Sequence, residues 1–113
     1  MRIIIKDLDM SEIINRLPTH PGDVLKEELE ARGITQKTFS ANTGISYTML
    51  NEILNCKRPV TSDVALIVEA ALGISAELLV NMQSRYNIAQ SRMHPAIKLN
   101  IDRVRKACAS WLL

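Results

Sequence analysis

The sequence of 113 residues is poor in aromatic residues and cysteines, and it has no long apolar run. Aromatic residues make up 4% of the chain, so the core has to be built from aliphatic side chains, which suit packed helices. Only Cys56 and Cys108 occur, and their spacing supports neither a disulfide framework nor a zinc site. No apolar stretch approaches the roughly 20 residues that span a membrane, and charges interrupt any signal-peptide core. We therefore expect a cytoplasmic protein that binds no membrane.

The chain also has only a small excess of positive charge. The chain has 14 basic and 12 acidic residues, a formal net charge of +2, which excludes a histone-like polycation but allows a localised basic surface. Hydrophobic residues make up 47% and charged residues 23%, as in soluble globular proteins. The length fits one compact domain with a terminal extension better than a two-domain enzyme. Composition alone therefore predicts a single small helical domain.

Helix start and stop signals recur along the chain, and no internal repeat is evident. Glycines can adopt the left-handed conformation that ends helices, and short polar residues cap helix starts. The glycines at predicted helix ends are Gly33, Gly44 and Gly73, and the N-cap candidates are Thr35, Ser46, Thr61 or Ser62, and Ser75. We divide the chain into an N-terminal arm (1–17), a five-helix domain (18–86), and a linker with a C-terminal helix (87–113). The fold class is all-α.

The C-terminal helix carries an apolar seam. Its residues are Ile97, Ile101, Val104, Cys108 and Trp111, which follow each other at steps of four and three. This spacing is typical of a helix that packs against a neighbour. Internal packing, a dimer interface and a partner-binding strip are all compatible with the seam. The basic bias of the same segment is compatible with a solvated face, DNA or an acidic partner.

Two short predicted helices, joined by residues 44–46, form a helix-turn-helix signature. Ser40 is small enough for a close helix crossing, and Gly44 accepts a positive φ. Leu50 and Ile53 are spaced to attach the second of these helices to the core. The pattern therefore predicts that the opposite face of this helix is free to enter a DNA major groove.

That outward face carries the candidate base-contacting side chains. They are Tyr47, Thr48, Asn51 and Glu52. Asn51 can pair with adenine through two hydrogen bonds, and Thr48 can donate a hydrogen bond or contact a thymine methyl group. Tyr47 offers a hydroxyl and a flat apolar face, whereas Glu52 would accept from cytosine or repel a phosphate.

Candidates for phosphate contact flank this helix. Gln36 begins the preceding helix, where free backbone N–H groups favour an anion, and Lys37 is a weaker candidate beside it. Lys57 and Arg58 lie in the following loop, where they would make DNA affinity dependent on salt. Ser46, at the N-cap of the DNA-contacting helix, completes the set of predicted DNA-binding residues.

Nothing in the sequence predicts catalysis. There is no pair of carboxylates at useful spacing, no nucleophile with a base, no metal-ligand set and no glycine-rich phosphate loop. His20 stands beside Pro21 without an acidic or cysteine partner, so we assign it to capping or packing, and His94 is similarly isolated. We expect no enzyme activity, no catalytic residue, no cofactor and no metal.

Several motifs occur together between residues 18 and 86. They read Thr19-His20-Pro21-Gly22-Asp23-Val24-Leu25, Thr35-Gln36, Gly44-Ile45-Ser46, Leu50-Asn51-Glu52-Ile53-Leu54-Asn55 and Lys57-Arg58-Pro59-Val60-Thr61. In this combination they resemble the HigA antitoxins of the Xre-like helix-turn-helix superfamily. The resemblance implies a five-helix, phage-repressor-like DNA-binding domain and a homodimer on a palindromic operator. It also implies a HigB-like toxin partner, a ribosome-dependent messenger-RNA interferase that the antitoxin neutralises.

This chain departs from the family pattern in its loop, where Cys56 replaces the usual glycine. Either the backbone tolerates a residue other than glycine there, or the loop differs locally. The arm and the C-terminal segment fall outside the resemblance, so the toxin-binding and dimer surfaces stay unassigned. Two alternatives to the antitoxin remain: a stand-alone Xre-like regulator without a toxin, and a protein-interaction module that has lost DNA binding.

Overall fold

The computed structural model describes residues 17–112 of the chain. Six α-helices and a final 3-10 turn make up this described part, which has no strand. The helices are α1 (Pro21–Ala31), α2 (Gln36–Thr43), α3 (Tyr47–Leu54), α4 (Ser62–Leu72), α5 (Ala76–Arg92) and α6 (Pro95–Ala107), and the turn is Ala109–Leu112. The predicted all-α class is confirmed. The predicted N-terminal arm lies outside the described residues except for Leu17.

The helix ends follow local capping signals. Thr35 Oγ1 accepts a hydrogen bond from the Thr38 backbone N–H at 3.1 Å, and Thr61 caps α4 in the same way, which leaves Ser62 as its first residue. Ser75 Oγ accepts from the Leu78 N–H at 3.2 Å at the start of α5. The left-handed glycines close α2 and α4; they are Gly44 and Gly73. The predicted caps are confirmed because they depend only on neighbouring residues.

Residues 18–86 form one compact unit around an aliphatic core. Each of α1 to α5 contributes buried side chains, with Phe39 as the aromatic member. Of the described side chains that are fully buried, the largest include those of Leu25, Leu50, Ile53, Val68 and Leu79. Leu50 and Ile53 are fully buried, as their spacing predicted, so one face of α3 is fixed to the core.

His20 caps α1 and packs in the same unit. Its Nδ1 accepts a hydrogen bond from the Gly22 N–H at 2.8 Å, and its ring meets that of Tyr86 edge-on at 4.8 Å between centroids. Burial lowers the pKa of His20 below its ordinary value of 6.5, and the nearby charge of Asp23 opposes this shift. Both the capping and the packing predicted for this histidine are confirmed.

The predicted end of α5 was wrong. Near the start of this helix, Leu79 is buried and Leu78 is exposed. At its other end, the helix continues to Arg92, through the segment interpreted as a linker. No glycine or proline occurs between residues 76 and 94, so nothing in the backbone ends the helix before Pro95.

The second unit contains the chain from residue 87 onward. In it, the seam of α6 is exposed: the exposed fractions are 41% for Ile97, 36% for Ile101 and 50% for Val104, and Trp111 is 80% exposed. The remaining seam residue, Cys108, is half-buried. Within the described range, no helix combines the length and the apolar character that a membrane crossing requires.

Candidate nucleic-acid interface

The turn between α2 and α3 is held by hydrogen bonds as well as by its glycine. Gly44 has φ 77°, and Ser40 Oγ donates to the Ile45 carbonyl oxygen at 2.6 Å. Ile45 itself is buried. Ser40 therefore does more than allow a close approach, because its hydroxyl connects α2 to the residue that leads into α3.

The first turn of α3 presents polar side chains to solvent. Ser46 Oγ caps the helix by accepting from the Met49 N–H at 3.1 Å. Tyr47 is 53% exposed and Thr48 is exposed, whereas Asn51 and Glu52 are half-buried. The outward face predicted for this helix is therefore present, with its most accessible side chains at the N-terminal end.

Gln36 and Asn51, 15 positions apart, meet across α2 and α3. Asn51 Nδ2 donates to Gln36 Oε1 at 3.2 Å. Asn55, at the end of α3, donates from Nδ2 to the Asn51 carbonyl oxygen at 2.9 Å and to Asn51 Oδ1 at 3.3 Å. The sequence interpretation missed Asn55 as a site residue, although its position one helical turn after Asn51 could have indicated the contact.

In the loop after α3, a residue other than glycine adopts the left-handed conformation. Cys56 has φ 61°. Its N–H donates to the Ile53 carbonyl oxygen at 3.0 Å, and the Lys57 N–H donates to the Glu52 carbonyl oxygen at 2.8 Å. These two bonds satisfy carbonyl groups at the end of α3. Of the two alternatives for this position, the structure therefore has the one in which the backbone tolerates another residue.

The Cys56 thiol contacts α1. Its Sγ donates to Asp23 Oδ1 at 3.3 Å. Burial, followed by the hydrogen bond and the charge of Asp23, raises the pKa of Cys56 to about 11, with Lys26 opposing the shift. The thiol is therefore protonated at neutral pH, and it joins the loop to α1.

The charged residues of the interface include one ion pair. Arg58 Nη2 lies 3.3 Å from Glu52 Oε1, and both side chains are about two-fifths exposed. Lys37 and Lys57 are exposed. The far end of the loop is fixed by the buried Gln83, whose Oε1 accepts from the Val60 N–H at 2.8 Å. Sequence reasoning missed Gln83, because a polar residue on α5 carries no signal for a partner 23 positions away.

The chain is similar to known helix-turn-helix proteins. A helix-turn-helix family model matches residues 25–79. Virulence-associated protein I of Dichelobacter nodosus is 33% identical over 76 residues, which cover 66% of this chain and 70% of that relative. The structure of an addiction module antidote protein of a HigA family from Coxiella burnetii matches with a TM-score of 0.65 and 27% identity, over 80% of this chain and 94% of that one. The Pseudomonas aeruginosa antitoxin HigA with higBA promoter matches with a TM-score of 0.67 and 26% identity, over 76% and 92%.

Proposed function

Since this chain belongs to the Xre-like helix-turn-helix family, we propose that it is a HigA-type antitoxin that represses its own operator and neutralises a HigB-like toxin. In this proposal the protein is cytoplasmic and binds a palindromic operator as a homodimer. Its fold is that of a DNA-binding regulator rather than of an enzyme class. The likeness to a HigA structure with higBA promoter supports the operator, and the likeness to an addiction module antidote supports the antitoxin role.

One observation carries the DNA-binding part of the proposal: α3 has a fully buried apolar face and an exposed polar one. Leu50 and Ile53 attach it to the core, and Tyr47 and Thr48 remain accessible at its N-terminal end. An α-helix fits the major groove of B-DNA, where such side chains meet base edges. We assign base contacts to Tyr47 and Thr48. Asn51 and Glu52 lie on the same helix, each hydrogen-bonded to another side chain.

In this proposal, residues that precede α3 and residues that follow it in the chain contact DNA phosphates. Gln36 and Lys37 begin α2, and Lys57 and Arg58 follow α3 in the loop held by Gln83. Cationic and amide side chains at these places fix the position of the helix on the duplex without reading its sequence. Ser46 orients the N-terminal turn of α3 by capping it.

DNA binding is tested by titrating the purified protein against a fluorescent duplex from its own upstream region and against a scrambled duplex, at two salt concentrations. We expect tighter, salt-sensitive binding to the upstream duplex. Lys57→Ala should weaken binding to both duplexes, and the charge-matched control Lys98→Ala, on α6, should not. Equal, weak binding of the wild-type protein to both duplexes would contradict the proposed operator.

The toxin partnership requires a gene for a HigB-like small basic protein beside this one, and it is tested by co-expressing the two chains. We expect the chain to relieve the growth arrest that this neighbour causes and to co-purify with it. Thr48→Ala should weaken operator binding but still relieve the arrest, which separates the two activities. If the wild-type chain neither relieves the arrest nor co-purifies, the protein is a stand-alone regulator.

A further inference from the structure

Three side-chain amides on α2 and at the end of α3 form a continuous hydrogen-bonded series, which we call the amide chain. It runs from Asn55 through Asn51 to Gln36. The contact between Asn51 and Gln36, at 3.2 Å, joins two helices, and the contacts of Asn55 lie within one helical turn. The amide chain therefore connects the C-terminal end of α3 to the first residue of α2.

The backbone fixes the direction of the amide chain. The Asn51 carbonyl oxygen can only accept, so the group of Asn55 that lies 2.9 Å from it has to be the NH2 group. The same NH2 group faces the Asn51 side chain, which must present its oxygen there and its own NH2 group to Gln36. Gln36 accepts through Oε1, and its NH2 group is left to donate to a ligand.

This direction suits contact with a phosphate. Phosphate oxygens accept hydrogen bonds and do not donate, so an NH2 group held at the start of α2 is complementary to the DNA backbone. The opposite direction would place the Gln36 oxygen against the phosphate. A long glutamine side chain also loses rotamer freedom on binding, and the bond from Asn51 restricts it beforehand.

The same bonds restrain the Asn51 side chain. Bidentate recognition of adenine by asparagine uses the side-chain oxygen and NH2 group together. In this structure the oxygen accepts from Asn55 and the NH2 group donates to Gln36. Asn51 is also only half-exposed, in contrast to Tyr47 and Thr48. The NH2 group keeps a second hydrogen and the oxygen a second lone pair, so the two bonds hold the orientation of the Asn51 amide and use half of its hydrogen-bonding capacity.

We propose that Asn51 is a positioning residue, which holds the Gln36 amide in the orientation that donates to a DNA phosphate. This inference rests on the proposed DNA-binding function. It changes the role of Asn51 from the base contact expected from the sequence to an indirect one, and it leaves sequence discrimination to side chains nearer the start of α3.

The amide chain itself is tested without DNA, in the 15N-labelled protein. The side-chain NH2 resonances of Gln36 are recorded in the wild type, in Asn51→Ala and in Asn42→Ala, a control on the exposed face of the same helix α2. We expect Asn51→Ala to shift the Gln36 resonances and the control to leave them in place, with both variants folded by circular dichroism. Unchanged Gln36 resonances in folded Asn51→Ala would overturn the amide chain.

The positioning role is tested with the upstream and scrambled duplexes. Asn51→Ala should weaken binding to both by the same factor, about 3-fold to 10-fold for one hydrogen bond. The double variant Gln36→Ala with Asn51→Ala should bind no more weakly than Gln36→Ala alone, because the two residues act through one contact. Thr48→Ala, in comparison, should weaken binding to the upstream duplex more than to the scrambled one.

The possible results separate the two proposals. Asn51→Ala could weaken binding to the upstream duplex alone, and this loss of affinity could add to the loss in Gln36→Ala. That result would show that Asn51 reads a base, and it would overturn the positioning role. If the wild-type protein binds neither duplex, the proposed DNA-binding function and the phosphate contact of Gln36 both fail. The resonance experiment would still decide whether the amide chain exists.

Discussion

Single residues in the loop after α3 determine how the interface is held. Cys56 occupies a left-handed conformation that glycine adopts more easily, and its Sγ contacts Asp23 on α1. A residue other than glycine in this conformation costs about 1 to 2 kcal/mol. The contact with α1 partly offsets that cost, since Cys56 makes an interaction that glycine lacks.

The raised pKa of Cys56 predicts a slowly reacting thiol. In a Cys108→Ser background, which leaves one thiol, we expect Cys56 to react with a disulfide reagent at pH 8 about tenfold more slowly than an ordinary thiol. Its pKa is raised from 9.0 to about 11, which lowers the thiolate fraction, and the greater nucleophilicity of a more basic thiolate offsets part of this loss. Asp23→Asn should speed the reaction by removing the carboxylate charge. A wild-type rate equal to that of a free thiol would contradict the predicted protonation.

The ion pair between Glu52 and Arg58 predicts a gain of DNA affinity when it is removed. In Glu52→Gln, Arg58 keeps its charge but loses its ionic partner, and one repulsive charge disappears from the interface. We expect binding to both duplexes to tighten about fivefold, since a surface charge is worth on the order of 1 kcal/mol. The slope of log affinity against log salt concentration should steepen by about one released ion.

The control for this prediction is Glu30→Gln, which removes an equal charge from an exposed position on α1. It should change affinity much less. Weaker binding of Glu52→Gln to the upstream duplex alone would instead indicate that Glu52 accepts a hydrogen bond from cytosine.

At the scale of the helices, α1 and α3 approach each other closely at Gly22. A Cβ atom at this position would overlap the carbonyl oxygen of Ile53 near the end of α3. The backbone carbonyl cannot rotate away as a side chain could, so this glycine is required by packing rather than by its φ angle. The close approach places the loop after α3 beside α1, where Cys56 and Asp23 meet.

Gly22→Ala should therefore reduce the free energy of unfolding by about 1 to 3 kcal/mol, the usual cost of overpacking a core. Urea denaturation followed by circular dichroism measures this change. Lys26→Ala, on the exposed side of the same helix, is the control and should change stability by less than about 0.5 kcal/mol. Equal stability of Gly22→Ala and the wild type would show that the helices can separate without cost.

At the scale of the whole unit formed by residues 18–86, His20 links the start of α1 to Tyr86 on α5. The native state holds His20 neutral, with a pKa lowered mainly by burial, and uses the unprotonated Nδ1 as the helix cap. The unfolded chain takes up a proton near the ordinary pKa of 6.5. As the pH falls below this value, the unfolded state binds more protons, so stability falls.

We therefore expect the free energy of unfolding to be highest above pH 6.5 and to decrease from there toward the lowered pKa of His20. His20→Asn keeps an N-cap acceptor and cannot titrate, so its stability should vary less over this range. His94→Gln, which changes the exposed histidine before α6, should retain the wild-type slope. A slope that His94→Gln abolishes and His20→Asn preserves would contradict this assignment.

The sequence by itself determined the class of fold, the caps of the helices and the position of the helix that we propose to contact DNA. Caps such as Thr35 and Ser46 bond to backbone groups three residues away, and apolar residues at helical spacing define a buried face wherever the helix packs. These interactions are short in range, so the order of residues contains them. The same reasoning predicted the outward position of Tyr47 and Thr48.

Only the tertiary structure decided which polar side chains meet. The bond between Asn51 and Gln36 spans 15 positions, and that between Gln83 and Val60 spans 23. Both depend on how distant segments of the chain pack against each other, and no local pattern encodes this packing. The same limit explains Leu78 and Leu79: adjacent helical residues point about 100° apart, and both are apolar, so only the packing of α5 selects the one that is buried.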